Sequence, residues 1–297
     1  MERTPTALSI AGSDSGGGAG IEADLKAFAR CGVHGTVAIT AITAQNTLGV
    51  DAVHAVPPET ILAQVRAVLS DIRVDAVKVG MLGTAESAVA VAQALEELPR
   101  GTPVVVDPVM VAESGARLLQ RQAQAVLIER ILPRATVLTP NLIEARALVE
   151  DAASSAGAGA GAQSLVPAPA GAEHPGGEDR EVEELVRALL KLGPDAVVVT
   201  GGHRERSVDL FLESRVGAEP VEIEGVRYAD GAAHGSGCTH SSLLAAQLAL
   251  GGTPLQAARV ARALTGEAVR DGLRDVGAGA GPVDVLGLAA IRARGVG

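Results

Sequence analysis

The feature that most constrains this chain is an alternation, kept up almost throughout, of short apolar runs with longer amphipathic ones. Short runs rich in Val, Ile, Leu and Ala stand at Ala7–Ala11, Thr36–Ala41, Ala76–Gly80, Val104–Asp107, Thr136–Thr139, Ala196–Thr200, Val208–Leu212 and Val221–Tyr228. Several are continuously apolar, which suits strands buried on both faces of a mostly parallel sheet. Runs with helical spacing lie between them, near Ala19–Arg30, Glu59–Asp71, Ala85–Leu98 and Arg117–Ile131. Later, Ser241–Leu250 reads as an apolar helix. The next helix has Thr253 as its cap, Pro254 in its first turn, and Ala257, Val260, Ala261, Leu264 and Ala268 on one face. The alternation predicts an α/β fold, a three-layer α/β/α sandwich with right-handed crossovers.

One stretch breaks the rhythm. From about 152 to 177 the chain is Ala, Gly, Pro and Ser with almost no large apolar residue. Such a segment cannot bury enough surface to offset the entropy of ordering, so it reads as a flexible insertion within one domain spanning 1–297. A linker between two domains is the competing reading, but the same strand–helix rhythm continues on both sides.

Composition limits the partners. The formal charge is −10, with one Tyr, two Phe and no Trp. This leaves neither a basic field for nucleic-acid phosphates nor a platform for stacking bases. An anionic ligand must then be held locally, by backbone N–H groups and a metal ion. No apolar stretch is long enough for a membrane span. The N-terminus runs straight into a strand-like segment, so no signal peptide is expected. Two cysteines, Cys31 and Cys238, form no disulfide framework. A reducing, cytoplasmic setting is expected.

Chemistry collects at four places. The first is the glycine-rich turn Gly12–Gly20 after the first strand, where backbone can come close to a ligand. It lacks a clean G-x-G-x-x-G and the acidic residue expected about 20 positions on, which disfavours a dinucleotide-binding oxidoreductase; a P-loop motif is absent too. A structural tight turn is the competing reading. The second is Thr43–Thr47, read as the carboxyl end of the second strand, where ligands of open α/β sheets bind. The Gln45 amide can pair with a ring nitrogen and adjacent amino group of an aminopyrimidine; a polar turn is the alternative. The third is a pair of acids at strand ends, Asp107 and Glu144, the donor set that Mg²⁺ needs near phosphates. Asn141 with Glu144 also resembles a capping box, and the two readings are compatible. The fourth is His234-Gly235-Ser236-Gly237-Cys238-Thr239, a turn that aims N–H groups at one point and so suits a transferring phosphoryl group. Cys238 at a helix start would have a lowered thiol pKa; a small buried cysteine beside a structural turn is the bland alternative.

Taken together, the strings AGSDSGGGAGIEADLKAF, TAITAQNTLGV, KVGMLG, DPVMVAESG, LTPNLIEA, VVVTGGH, HGSGCTHSS and GAGAGPV, in that order, resemble the hydroxymethylpyrimidine/phosphomethylpyrimidine kinases of thiamin biosynthesis, in the ribokinase-like superfamily. The resemblance implies ATP and Mg²⁺ as cofactors, a small pyrimidine as substrate, two successive phosphorylations and a homodimer. It implies that Gly12, Asp24, Gln45, Met81 and Val109 belong to the pyrimidine site, and that Asp107 and Glu144 hold Mg²⁺ or its waters. Thr200, Gly201, Gly202, His203, Asp209 and Arg262 would serve the nucleotide, and Gly235, Ser236, Gly237 and Cys238 the anion hole. Cys238 would stand where sugar kinases of the superfamily carry an Asp base.

Four positions depart from the family pattern: Glu22 for Gln, Glu113 for Lys or a small residue, Ser236 for Thr, and Arg262 for Lys. None removes a required chemical group, although Glu113 leaves the lid-side contact without an explanation. A pyridoxal kinase of the same superfamily and a non-catalytic pyrimidine sensor are the competing functions.

Overall fold

A computed structural model of the chain describes residues 3–111, 118–157, 177–203, 206–228, 231–293 and 295. Its strands are β1 (Thr6–Ala11), β2 (His34–Ile39), β3 (Ala41–Gln45), β4 (Val50–Ala55), β5 (Ala76–Val79), β6 (Val104–Val106), β7 (Val137–Leu138), β8 (Ala196–Val199), β9 (Val208–Glu213) and β10 (Val221–Glu224). Its α-helices are α1 (Gly20–Arg30), α2 (Pro58–Asp71), α3 (Ala85–Glu96), α4 (Arg121–Val126), α5 (Leu142–Gly157), α6 (Gly177–Leu190), α7 (Ser236–Ala249), α8 (Pro254–Arg270) and α9 (Leu288–Ala293).

Eight strands form the central sheet in the order β10-β9-β8-β7-β6-β5-β1-β2. The run from β2 to β8 is parallel; β9 alone runs the opposite way, and β10, antiparallel to β9, points in the same direction as the rest. Because side chains alternate across a strand, each strand feeds two cores. Leu8, Ile10, Val77, Val79, Val104 and Val106 join α2 through α6 on one face. Ala7, Ala76, Val105 and Val137 join α1, α7 and α8 on the other. This is the expected three-layer sandwich. The chain leaves β1 toward β2 on one side and returns to β5 on the other. A crevice at the carboxyl ends of β1 and β5 follows from that switch, and sites of open α/β sheets form there.

The structure corrects several boundaries. The expected strand Thr36–Ala41 breaks at Thr40, whose N–H bonds the Ala11 carbonyl and whose hydroxyl bonds the Met81 carbonyl. Beyond it the chain forms a separate hairpin, β3–β4, so Gln45 stands on that hairpin and not on the central sheet. The helix expected over Arg117–Ile131 starts at Arg121 and passes into a π-turn at Leu127–Ile131. The Ala/Gly-rich segment shrinks, because α5 continues to Gly157 and α6 begins at Gly177. Residues 158–176 and Glu113 lie outside the described residues. The strand from Val221 ends at Glu224, and the helix read from Ser241 begins at Ser236.

The small residues on the α1/α7 face leave room for a buried ionic network. Lys78 Nζ lies 2.8 Å from Asp24 Oδ1, with both side chains fully buried. The hydroxyls of Ser9 and Ser242 also donate to the Asp24 carboxylate. Burial alone would lower the Lys78 pKa, but Asp24, Cys238 and Asp107 nearby hold it well above the usual lysine value. Removing one member of such a pair leaves a buried charge without its partner. Lys78→Met should therefore cost about 3–5 kcal/mol of unfolding free energy in a denaturant titration; a cost below about 1 kcal/mol would show that the pair is not structural.

Candidate active site

The glycine turn after β1 is organised by one carboxylate. Asp14 accepts N–H bonds from Gly16 (2.8 Å), Gly18 (3.0 Å) and Ala19 (2.8 Å). Its Oδ2 also lies 2.9 Å from His234 Nε2, across 220 residues of sequence. Burial raises the Asp14 pKa, but His234 and the backbone donors outweigh it and hold the carboxyl below its usual value. Glu22 accepts the Asp14 N–H at 2.7 Å, so the departure from Gln keeps an acceptor in place.

That clasp presses the first glycine turn against the last one. Gly235 has φ +81°, and a Cβ there would collide with the Gly18 carbonyl. α7 starts at Ser236, directly after this left-handed residue; the Ser236 N–H bonds the Ala233 carbonyl, and the Gly237 and Cys238 N–H groups lie in the first turn, where no intrahelical acceptor is available. The Gly20 N–H lies near the Cys238 sulfur and favours its thiolate. The hairpin is tied to the same turn: Ser15 Oγ donates to the Gln45 carbonyl at 2.7 Å and accepts its N–H at 2.8 Å. Gln45 and Gly237 are thus gathered around one glycine turn. At its back, a Cβ on Gly12 would stand 3.0 Å from the Met81 sulfur, which puts the ends of β1 and β5 side by side. Val109, half-buried, follows β6.

The acids form the other wall. Asp107 ends β6 and accepts from Ser241 Oγ at 2.9 Å, one turn into α7. Burial pushes its pKa up, opposed by Lys78 and by the Ser241 bond. Glu144 forms a full capping box, with Asn141 N–H to Oε2 at 3.0 Å and Glu144 N–H to Asn141 Oδ1 at 2.9 Å. Burial, then the neighbouring Asp107 charge, push the Glu144 pKa up to about 8. Two crowded acids short of counter-charge, with oxygen donors only, fit a hard divalent cation. Among the described residues no cluster of three or more metal-ligating side chains forms, so phosphate oxygens and water would complete a Mg²⁺ shell. Thr200 adjoins: its N–H bonds the Pro140 carbonyl, and it bridges Asn141. Gly201, Gly202 and His203 turn beyond it at the end of β8.

A phosphomethylpyrimidine kinase family model matches residues 14–174 and 171–284. The chain belongs to the phosphomethylpyrimidine kinase family. The hydroxymethylpyrimidine/phosphomethylpyrimidine kinase of Haemophilus influenzae is 41% identical over 288 residues, covering 96% of this chain and 97% of that one. The protein of the same description from Rhizobium meliloti is 43% identical over 283 residues, with 94% and 96% covered. Among solved structures, the pyridoxal kinase from Staphylococcus aureus in complex with pyridoxal matches with TM-score 0.77 at 30% identity, covering 96% of this chain and 94% of that one. The phosphomethylpyrimidine kinase from Clostridium difficile matches with TM-score 0.67 at 33% identity, covering 87% and 96%. The α/β sandwich is the ribokinase-like one. Among the described residues no helix is long and apolar enough to cross a membrane.

Three residues expected in this kinase site face inward instead. Asp24 is fully buried and its carboxylate is spent on Ser9, Lys78 and Ser242, so it supports the floor of the pocket. Asp209 is fully buried and accepts the Gly201 N–H at 2.7 Å. Arg262 bonds the Ser207 carbonyl at 2.7 Å and lies 3.6 Å from Asp209, so its guanidinium braces the carboxylate that holds the Gly201 N–H. The clasp role of Asp14 and the ionic role of Lys78 were missed. An Asp two residues before a Gly is a turn signal that points to the first; nothing local points to the second.

Cys238 also departs from expectation. The residue keeps some solvent access, but protein packed around the thiol, with the Asp107 and Asp24 charges, pushes its pKa up to about 12 against Lys78 and the Gly20 N–H. Desolvation overrides the helix start. At pH 7 the thiolate fraction is then on the order of 10⁻⁵. The rate of Cys238 alkylation by iodoacetamide, followed by peptide mass spectrometry, should keep rising through pH 10; a plateau below pH 8 would show a stabilised thiolate.

Proposed function

We propose that this chain transfers the γ-phosphoryl of ATP to 4-amino-5-hydroxymethyl-2-methylpyrimidine, and then to the resulting monophosphate, in thiamin biosynthesis. The observation that carries the reading is the double tether of the anion turn. Asp14 binds it to the glycine turn through His234, and Asp107 binds it to the acidic wall through Ser241. Relatives at 41% and 43% identity that carry this description support the same substrate.

In this reading the Gln45 amide pairs with the pyrimidine ring edge, while Gly12, Met81 and Val109 give the ring a small apolar seat. The hydroxymethyl oxygen points toward Gly235–Cys238. Thr200, Gly201, Gly202 and His203 carry the nucleotide, and the first N–H groups of α7 receive the equatorial oxygens of the transferring group. Asp107 and Glu144 would hold Mg²⁺, which neutralises phosphate charge when bound. Positioning and charge complementarity supply most of the catalysis, as in other phosphoryl transfers.

A thiol with its pKa near 12 is protonated at working pH, so Cys238 acts as a donor in the anion hole and not as the resting base. Cys238→Ala should slow both phosphorylations by comparable factors, about tenfold, when each purified acceptor is assayed. A loss confined to the alcohol step would return the base role to this residue.

A pyridoxal kinase is the second reading, supported by the 0.77 match to a pyridoxal-bound structure. Pyridoxal lacks an amino group beside a ring nitrogen. ADP release should therefore be fastest with hydroxymethylpyrimidine and its monophosphate, and Gln45→Ala should reduce kcat/KM for the pyrimidine about tenfold more than for pyridoxal. Turnover of pyridoxal alone would overturn the proposal.

A further inference from the structure

We propose that His240 is a positioning residue: it holds the nucleotide turn Gly201–His203 at a set distance from the anion turn, by donating a hydrogen bond from Nε2 to Asp209. The inference rests on the nucleotide role proposed for that turn, and goes further by naming what fixes its place.

His240 lies two residues beyond Cys238 on α7, beside the Ser241 that touches Asp107. Its side chain is 5% exposed, and its Nε2 stands 3.5 Å from Oδ2 of the fully buried Asp209. The other Asp209 oxygen accepts the Gly201 N–H at 2.7 Å. A path of three links therefore runs from the helix that bears the anion turn, through one imidazole and one carboxylate, to the backbone of the nucleotide turn. Gly201 has no freedom to evade it, because a Cβ there would collide with the Val208 backbone on β9. Whatever sets Asp209 on that strand also sets the turn.

The path is built but not closed. Among the described residues neither ring nitrogen of His240 has a hydrogen-bond partner, and neither does Asp209 Oδ2. Buried polar atoms are seldom left so. Closing the gap to an ordinary hydrogen bond requires a shift of only about half an ångström. Such a shift satisfies the imidazole and the carboxylate together. A side chain that merely filled core volume at this position would need no nitrogen facing a carboxylate. Arg262 braces the same carboxylate from α8, 3.6 Å from its Oδ1, so His240 supplies the contact on the other oxygen. In-line transfer tolerates little misplacement, and an error of about 1 Å between donor and acceptor can cost a hundredfold in rate. A tie between the two turns is thus a direct lever on nucleotide binding and alignment.

The test uses full-length protein with His240→Leu, His240→Asn and His240→Gln. Calorimetry with a non-hydrolysable ATP analogue and Mg²⁺ gives the nucleotide affinity, steady-state assays give KM for ATP and for hydroxymethylpyrimidine, and thermal melts report folding. Leu and Asn should weaken nucleotide binding about tenfold and leave the pyrimidine KM within about twofold. Gln, whose amide reaches the place of Nε2, should stay within about threefold of the parent. The inference is overturned if the Leu protein binds the analogue like the parent, if both ligands weaken equally, or if Gln fares no better than Asn. Should the Leu protein fail to fold, the contrast between Gln and Asn decides alone. A parent protein that binds no ATP would remove the nucleotide reading itself, a result distinct from a parent that binds and variants that match it.

Discussion

The Asp14 carboxylate is the interaction on which the site depends. Most residues of a glycine-rich turn have no side chain to hold its shape, so the geometry of this one falls to its single carboxylate and to partners outside it. Three backbone donors and His234 converge on one buried carboxylate, which sets the turn and the approach of α7 together. Gly235 is then required for a steric reason, since the Gly18 carbonyl occupies the space of any side chain. Binding the hairpin to Ser15 adds the third component of the pocket. Segments from three parts of the chain are thereby joined into one rim.

Beneath the rim lies a charged floor that explains the chemistry of Cys238. The start of a helix normally favours a thiolate, but here two carboxylates and dense packing oppose it, and Lys78 is already committed to Asp24. The same crowding raises both Asp107 and Glu144. Burial and mutual repulsion therefore make it costly for both acids to be ionised together. In the reading proposed above, a divalent cation carried by the nucleotide would relieve that crowding.

Much of this was legible in the sequence. Continuous apolar runs such as Val104–Val106 and Ala196–Val199 marked buried parallel strands, and the glycine turns marked the places where backbone meets ligand. Asn141 and Glu144 were readable as a capping box, which the structure shows in full. The failures share a physical cause. The break at Thr40 depends on hydrogen bonds to Ala11 and Met81, which local pattern does not carry. Asp24, Asp209 and Arg262 stand among motif residues, so they read as ligand contacts, but their partners come from other elements and turn them inward. The thiol of Cys238 was misjudged because helix position is local and desolvation is not.

The bonds that assemble the site join residues far apart in the chain: Asp14 with His234 across 220 residues, Asp24 with Ser242 across 218, and Asp107 with Ser241 across 134. All three wait on one late segment, which runs from His234 through the first turns of α7 to Ser242. Contacts of such long range carry the largest loop-closure cost and form late. During synthesis the first sheet strands emerge from the ribosome with Asp14, Asp24 and Asp107 still lacking these partners. The arrangement thus arrives abruptly, when that one segment docks, and a chain cut short before it would carry Asp14, Asp24 and Asp107 with nothing to arrange them.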